Sequence, residues 1–204
     1  MKFLTLDTNT DWSRPLRGGA KDLVFVSFSV YGSVGTIVEA GGARLGIIES
    51  EIDGYAQLAA DENSKWRLLG IHVPLQQFEG KPLGSFSVLT VRLDRSDGSW
   101  DLYQSAWLVA EDLPLDASIK HGQFRVRAGE GGAMVNGLVQ SDENPLYADA
   151  NGNGVDDAFE QQKQGRLLTA ADAKATRKQL IADWRKHQRT APPPALFVNL
   201  PRPD

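Results

Sequence analysis

The chain has no cysteine. Disulfide staples, thiolate zinc sites and cysteine nucleophiles are therefore excluded. Histidine is scarce: His72, His121 and His187 are the only three, and none has the four-residue spacing of a helical metal pair. No apolar run approaches the roughly 18 residues of a membrane-spanning helix. The opening residues, 1–7, lack the apolar core of a signal peptide. Such a start is expected of a protein that stays inside the cell, or of a mature segment with an added Met. Nucleophile elbow, phosphate-loop and kinase signatures are missing. The Gly129-Glu130-Gly131-Gly132 turn has no helix behind it, so it reads as a hairpin and not as a nucleotide loop.

The composition that remains is that of a globular chain. With 204 residues, 41% of them hydrophobic, there is room for one sizeable domain plus a small appendage. Twenty glycines favour a turn-rich β body. The net charge of −4 gives no case for nucleic acid as a partner. That charge is unevenly spread. Residues 170–190 carry six Lys/Arg against Asp172 and Asp183, leaving residues 1–169 strongly acidic. The basic stretch would serve as a solvated face, or as a contact with an acidic polymer or with the acidic body itself.

Short alternating segments dominate the first 140 residues. Val24, Val26, Phe28 and Val30 share one face of a strand over 23–31, and Leu89, Val91 and Leu93 share one face of a strand over 86–94. Ser96-Asp97-Gly98-Ser99 is a hairpin signal. Residues 1–22 read as a short strand and a loop, and 76–84 as a loop. Roughly ten strands with no helix before residue 155 predict a mainly β fold, an antiparallel two-sheet sandwich. After Pro145 the character changes. A helix is expected over 156–164 with Gly165 as its C-cap. A second follows a Thr169–Asp172 capping box and runs to about residue 187, before a Pro-rich tail. The expected division is a sandwich over 1–143 and a helical extension over 144–204.

One stretch makes a chemical statement. In residues 149–160, Asp149, Asn151, Asn153, Asp157 and Glu160 fall at positions 1, 3, 5, 9 and 12, with Gly154 at position 6. This is the spacing of an EF-hand calcium loop. A hard cation takes six to eight oxygens, so a short loop must coil around it and Gly154 supplies the sharp turn. Val155 would contribute its carbonyl, Asp157 would bind directly or through water, and Glu160 would close the site with both oxygens. With Asn at two positions the expected affinity for Ca²⁺ is weak, on the order of 10⁻⁴ M, as in extracellular modules. The competing reading is an Asn/Gly-rich turn capping a helix at Asp156 or Asp157.

Two resemblances follow from these residues. Residues 149–160 resemble single calcium loops of thrombospondin type-3 repeats and of bacterial dockerins, with the Val155-Asp156-Asp157 order leaning towards the former. The run Leu89-Thr90-Val91-Arg92-Leu93-Asp94, Trp100-Asp101-Leu102-Tyr103 and 108–113 is similar to a meander of laminin-G-like and concanavalin-like jelly rolls. The turn Gln104-Ser105-Ala106 departs from the Gly or Asn-Gly usual there. Together the resemblances imply a calcium-binding, non-catalytic recognition or adhesion module of a bacterial surface or secreted protein, its partner a carbohydrate or a surface protein. A dockerin-like interaction module using the basic helix is the alternative. On the carbohydrate reading, Trp66, Trp100, Tyr103 and Trp107 are the candidates to stack on sugar rings, and core packing is the competing role for them. Glu51-Ile52-Asp53 resembles the start of the acidic signature of laminarinase-type glycoside hydrolases, which share the jelly roll. Ala56 stands where the resemblance would require the acid/base, so the segment is expected to be an acidic loop.

Overall fold

The computed structural model describes residues 4–16, 22–119 and 121–190. The Pro-rich tail lies outside them. In chain order the elements are β1 (Leu4–Leu6), β2 (Asp11–Pro15), β3 (Leu23–Gly32), β4 (Ile37–Ala40), β5 (Ala43–Glu49), β6 (Tyr55–Asp61), β7 (Trp66–Phe78), β8 (Lys81–Asp94), β9 (Ser99–Gln104), β10 (Trp107–Pro114), β11 (Gln123–Arg127), β12 (Ala133–Ser141), α1 (Asp157–Gln164) and α2 (Lys174–Thr190). The protein is mainly β, and all the strand pairs are antiparallel.

The first sheet runs β1-β12-β3-β8, and β8 continues to β9 and β10 at one end. The second runs β2-β11-β4-β5-β6-β7. Strand β7 serves both sheets: its first part pairs with β6 and its last four residues, 75–78, pair with β8. A bulge at Gly70, whose φ of 68° suits glycine, shifts the β6–β7 register and helps β7 make that change.

Alternation places the core. The four predicted inward residues of β3 are all buried, as are Leu89, Val91 and Leu93 of β8. They meet Leu45 and Ile47 of β5, Leu58 of β6, and Phe124 and Val126 of β11 in one cluster between the sheets. Each such side chain is worth about 1.5–3 kcal/mol of burial, and the period of two puts every intervening residue on an outer face.

Those intervening residues separate the two sheets. On the first sheet Phe25, Arg92 and Asp101 share one cross-strand row, and Ser27, Thr90 and Tyr103 share another. Phe25, Thr90, Arg92, Asp101 and Tyr103 are nevertheless buried. The C-terminal extension covers them. Leu146 packs with Tyr103, Ala106 and Leu108, and Tyr147 bridges this cluster to a second one of Val155, Phe159, Leu168, Leu180 and Trp184. Helix α2 adds charge contacts: Arg185 reaches both Asp101 and Asp112 of the sandwich, and Arg189 reaches Glu111. The basic stretch thus serves two of the roles open to it: Arg185 and Arg189 contact the acidic body, while Lys174, Lys178 and Lys186 form an exposed, solvated face.

Three local expectations need correcting. Residues 76–84 are not a loop but the tip of the β7–β8 hairpin, turning on Glu79 and Gly80 with φ of 49° and 80°. Positive φ at both central residues gives the twist that a two-residue hairpin requires. The chain start contains two strands, β1 and β2, not one. Thr169 and Asp172 close a turn on themselves, with the Thr169 N–H donating to Asp172 Oδ2 at 2.6 Å, and α2 begins only at Lys174.

Candidate functional site

The loop of residues 149–160 sits where the extension meets the first sheet. Its exit helix α1 starts as expected: Asp156 is the N-cap, its Oδ1 accepting from Phe159 N–H at 3.0 Å, and Gly165 at φ 74° is the C-cap. The side chain of Val155 is fully buried among Phe159, Leu168, Leu180 and Trp184, which anchors the middle of the loop. The loop backbone is held by its own side chains. Asp149 Oδ2 accepts from Gly154 N–H at 2.9 Å, Asn151 Oδ1 from Asn153 N–H at 3.2 Å, and Asn153 Oδ1 from Val155 N–H at 2.8 Å.

Glu160 is the organiser. It is completely buried, and a buried carboxylate must be compensated by donors or by a cation. Both its oxygens lie 3.1 Å from Asn151 Nδ2, Oε2 also lies 2.9 Å from Asn153 Nδ2, and Oε1 accepts from Leu168 N–H. Loop positions 3, 5 and 12 thus converge. Asp149 Oδ1 is buried with no hydrogen-bond partner, and the charges that act on this carboxyl are those of Arg92 and Asp157. Burial raises its pKa, against the lowering pull of the Gly154 and Asn153 N–H groups. Asp157 makes no contact with Glu160: both its oxygens accept from Ala150 N–H at 3.1 Å, and its charge acts on Asp149.

Among the described residues no three His, Cys, Asp or Glu side chains gather as a metal-binding group. Here the converging set is one carboxylate, Glu160, and the amides of Asn151 and Asn153. Glu160 offers a hard cation two oxygens side by side and Asp149 an unpartnered one, whereas a half-turn of either Asn amide would set its nitrogen against the backbone N–H that its oxygen accepts from. Asp149, the Val155 carbonyl and Glu160 would hold calcium, with Asn151 and Asn153 giving up those backbone bonds to join them, and the ion would supply the compensating charge that these buried carboxylates otherwise draw from amides.

The loop is also fastened to the sheet. Gly154, with φ 81°, lies against the guanidinium of Arg92, where a Cβ would come within 2.6 Å of the Nη2 nitrogen. Arg92 is 3% exposed and bonds Asp101 at 2.9 Å and Asp94 at 3.1 Å. Burial, the largest single effect, works against its charge, but Asp101, Tyr103, Asp94 and Tyr147 together outweigh it and raise the pKa of Arg92 above its ordinary value. Tyr147 donates to the Gly154 carbonyl at 3.0 Å and receives a longer hydrogen bond from Trp184 Nε1 at 3.3 Å. Sequence spacing found the loop but not this buried arginine, because the contact joins positions about sixty residues apart.

The aromatic candidates divide. Trp100 is fully buried between the sheets, donating from Nε1 to the Pro114 carbonyl, and Tyr103 is sealed beneath the extension. Neither can stack on a ligand, which corrects their place among the candidates. The alternation that put Trp100 inward was readable, but the cover over Tyr103 was not. Trp107 and Trp66 are each 40% exposed. Trp66 lies on the open outer face of the second sheet, flat over Gly46, where any Cβ would come within 2.8 Å of its ring.

Beside Trp66 that face carries a charge network missed by sequence reasoning. Asp61, opposite Trp66 in the β6–β7 register, bonds Arg44 at 3.0 Å. Arg44 also holds Glu39 at 3.1 Å and Asp116 at 3.5 Å. Arg125 continues the line to Asp11 at 2.6 Å. Clefts of about 340 and 490 Å³ flank Arg44. Of the acidic segment, Glu51 and Asp53 lie in an exposed turn, with Glu51 3.9 Å from His72. His72 in turn bonds Ser50 Oγ, which already accepts from Ile52 N–H as a turn cap.

No family model matches the chain, and no curated protein matches it either. Among solved structures, a tetrameric galectin from the ball sponge Cinachyrella sp. aligns over 64% of this chain and 98% of its own, at 11% identity and a TM-score of 0.35. The chain is similar to that galectin at a level that bears on neither ligand nor assembly.

Proposed function

We propose that the chain is a non-catalytic recognition module in which calcium locks the C-terminal extension over the first sheet, leaving the outer face of the second sheet to bind ligand. The observation that carries this reading is the asymmetry of the two outer faces. One is sealed by the extension through Tyr103, Tyr147 and Trp184. The other exposes Trp66 beside a row of paired guanidinium and carboxylate groups. A planar ring next to fixed, mutually paired donors and acceptors suits a carbohydrate, whose ring C–H faces stack while its hydroxyls both donate and accept. A calcium affinity near 10⁻⁴ M suits a compartment with millimolar calcium, outside the cell.

Helix α2 is less suited to the dockerin-like alternative, since Arg185, Arg189, Leu180 and Trp184 are already engaged with the sandwich or the loop. The segment resembling a glycoside hydrolase supports no catalytic role: Ala56 is buried in the core cluster and offers no acid/base.

The test is a glycan array followed by calorimetry on wild type and Trp66→Ala. The expected result is saturable binding of a neutral sugar, weakened about three- to tenfold in Trp66→Ala. Binding of no glycan, or equal binding by the variant, would remove carbohydrate from the account.

A further inference from the structure

The outer face of the second sheet extends well beyond Trp66. Leu45, Ile47, Leu58 and Ala60 belong to the core cluster, so alternation turns Gly46 and Ile48 of β5, and Tyr55, Gln57 and Ala59 of β6, outward. The register lays these against β7 in successive rows. Asp61 stands beside Trp66, Ala59 beside Leu68, Gln57 beside His72, and Tyr55 beside Pro74.

An exposed aromatic ring therefore marks each end of this strip, Trp66 at one and Tyr55 at the other. Strand β6, Tyr55–Asp61, is seven residues long, so the two ends lie about 20 Å apart. Between them Gly46 and Ala59 contribute almost no side chain, and Leu68, 54% exposed, offers apolar surface.

Near the Tyr55 end His72 supplies a directed donor. Ser50 Oγ accepts from Ile52 N–H at 3.0 Å and lies 2.8 Å from His72 Nδ1. The hydroxyl proton is thereby left for Nδ1, and the imidazole hydrogen resides on Nε2. Glu51, 3.9 Å from Nε2, is beyond hydrogen-bonding distance. Gln57 is buried and its amide donates to the Glu49 carbonyl at 2.8 Å, so the polar contact on this row falls to His72.

We propose that this strip binds a linear, uncharged oligosaccharide of at least tetrasaccharide length, extended along β6 and β7. One end ring stacks on Trp66 and the other on Tyr55, an inner ring rests on Leu68, and a hydroxyl accepts from His72 Nε2. Exposed Glu49, Glu51 and Asp53 around the Tyr55 end disfavour an anionic chain. The inference rests on the carbohydrate reading of Trp66 and adds chain length and direction to it.

The experiment is calorimetry on the full chain with cellobiose, cellotetraose and maltotetraose. Cellotetraose, an extended chain, is expected to bind about tenfold more tightly than cellobiose, which reaches only one ring platform. Maltotetraose, whose linkage makes it coil, gains nothing over cellobiose. Tyr55→Ala brings cellotetraose down to the level of cellobiose, and His72→Phe weakens cellotetraose about threefold or more. Equal affinity for cellobiose and cellotetraose, lowered by Trp66→Ala and unchanged by Tyr55→Ala, overturns the proposal while the carbohydrate reading stands. Absence of heat with all three sugars overturns it too, and the glycan array then decides whether the carbohydrate reading falls with it.

Discussion

Truncating Trp184 to Ala separates the extension from the sandwich energetically. Trp184 is 7% exposed and sits at the centre of the extension's cluster, with its ring centroid 5.1 Å from that of Tyr147 and 5.0 Å from that of Phe159. Removing a buried Trp costs about 3–5 kcal/mol, and the 3.3 Å hydrogen bond to Tyr147 adds at most about 1 kcal/mol. The sandwich core draws on β3, β5, β6, β8 and β11 and includes none of these residues. The loss therefore falls on docking of the extension. About 4 kcal/mol corresponds to nearly three decades in the opening equilibrium. Hydrogen exchange followed by mass spectrometry is the assay. Amides of α1 and α2 are expected to exchange roughly 10²–10³-fold faster, while those of β3 and β8 keep their protection. Parallel loss of protection in β3 and β8 would show that cap and sandwich unfold as one unit. Unchanged α2 would show that Trp184 does not hold the cap.

Two further outcomes follow from the charges. Arg185→Met removes the bridge from α2 to Asp101 and Asp112 and is expected to speed exchange in α2 by about tenfold, a loss near 1–2 kcal/mol for a half-buried pair. Equal exchange would make that bridge ornamental. The carboxyls of Asp11, held by the Arg125 hydrogen bond, and of Asp116, held by the Ser118 hydroxyl, both lie below their ordinary value of 3.8. The stability they contribute is present above that value and is lost as pH falls through their lower folded values. Thermal melts from about pH 5 to about pH 2 are expected to show falling stability, less steep in Arg125→Gln. A flat profile would contradict it.

Much of the scaffold was legible because it depends on local rules. Alternation located the inner face of β3 and β8, and Asp156 and Gly165 cap α1 where their chemistry requires. The β7–β8 hairpin was missed because Glu79 stands where glycine or asparagine would have announced the left-handed backbone. Likewise Ser105 and Ala106 turn at φ 54° and 87° without any glycine, Ala106 being pinned under Leu146. The remaining gaps are all non-local. A sequence gives the spacing of Asp149, Asn151, Asn153 and Glu160, because one loop contains them. It does not give the arginine beneath, the cover over Tyr103, or the line from Trp66 to Asp11, because these depend on which strands become neighbours.

The central claim is that residues 149–160 bind calcium and thereby fasten the extension. Calorimetric titration with calcium, paired with thermal melts in calcium and in chelator, tests it on wild type and Glu160→Gln. The account expects one saturable site with Kd on the order of 10⁻⁴ M, and a stabilisation of about 1.4 kcal/mol at tenfold that concentration, both abolished in Glu160→Gln. No binding at millimolar calcium, or binding undiminished in Glu160→Gln, would contradict it and leave the loop as the cap of α1.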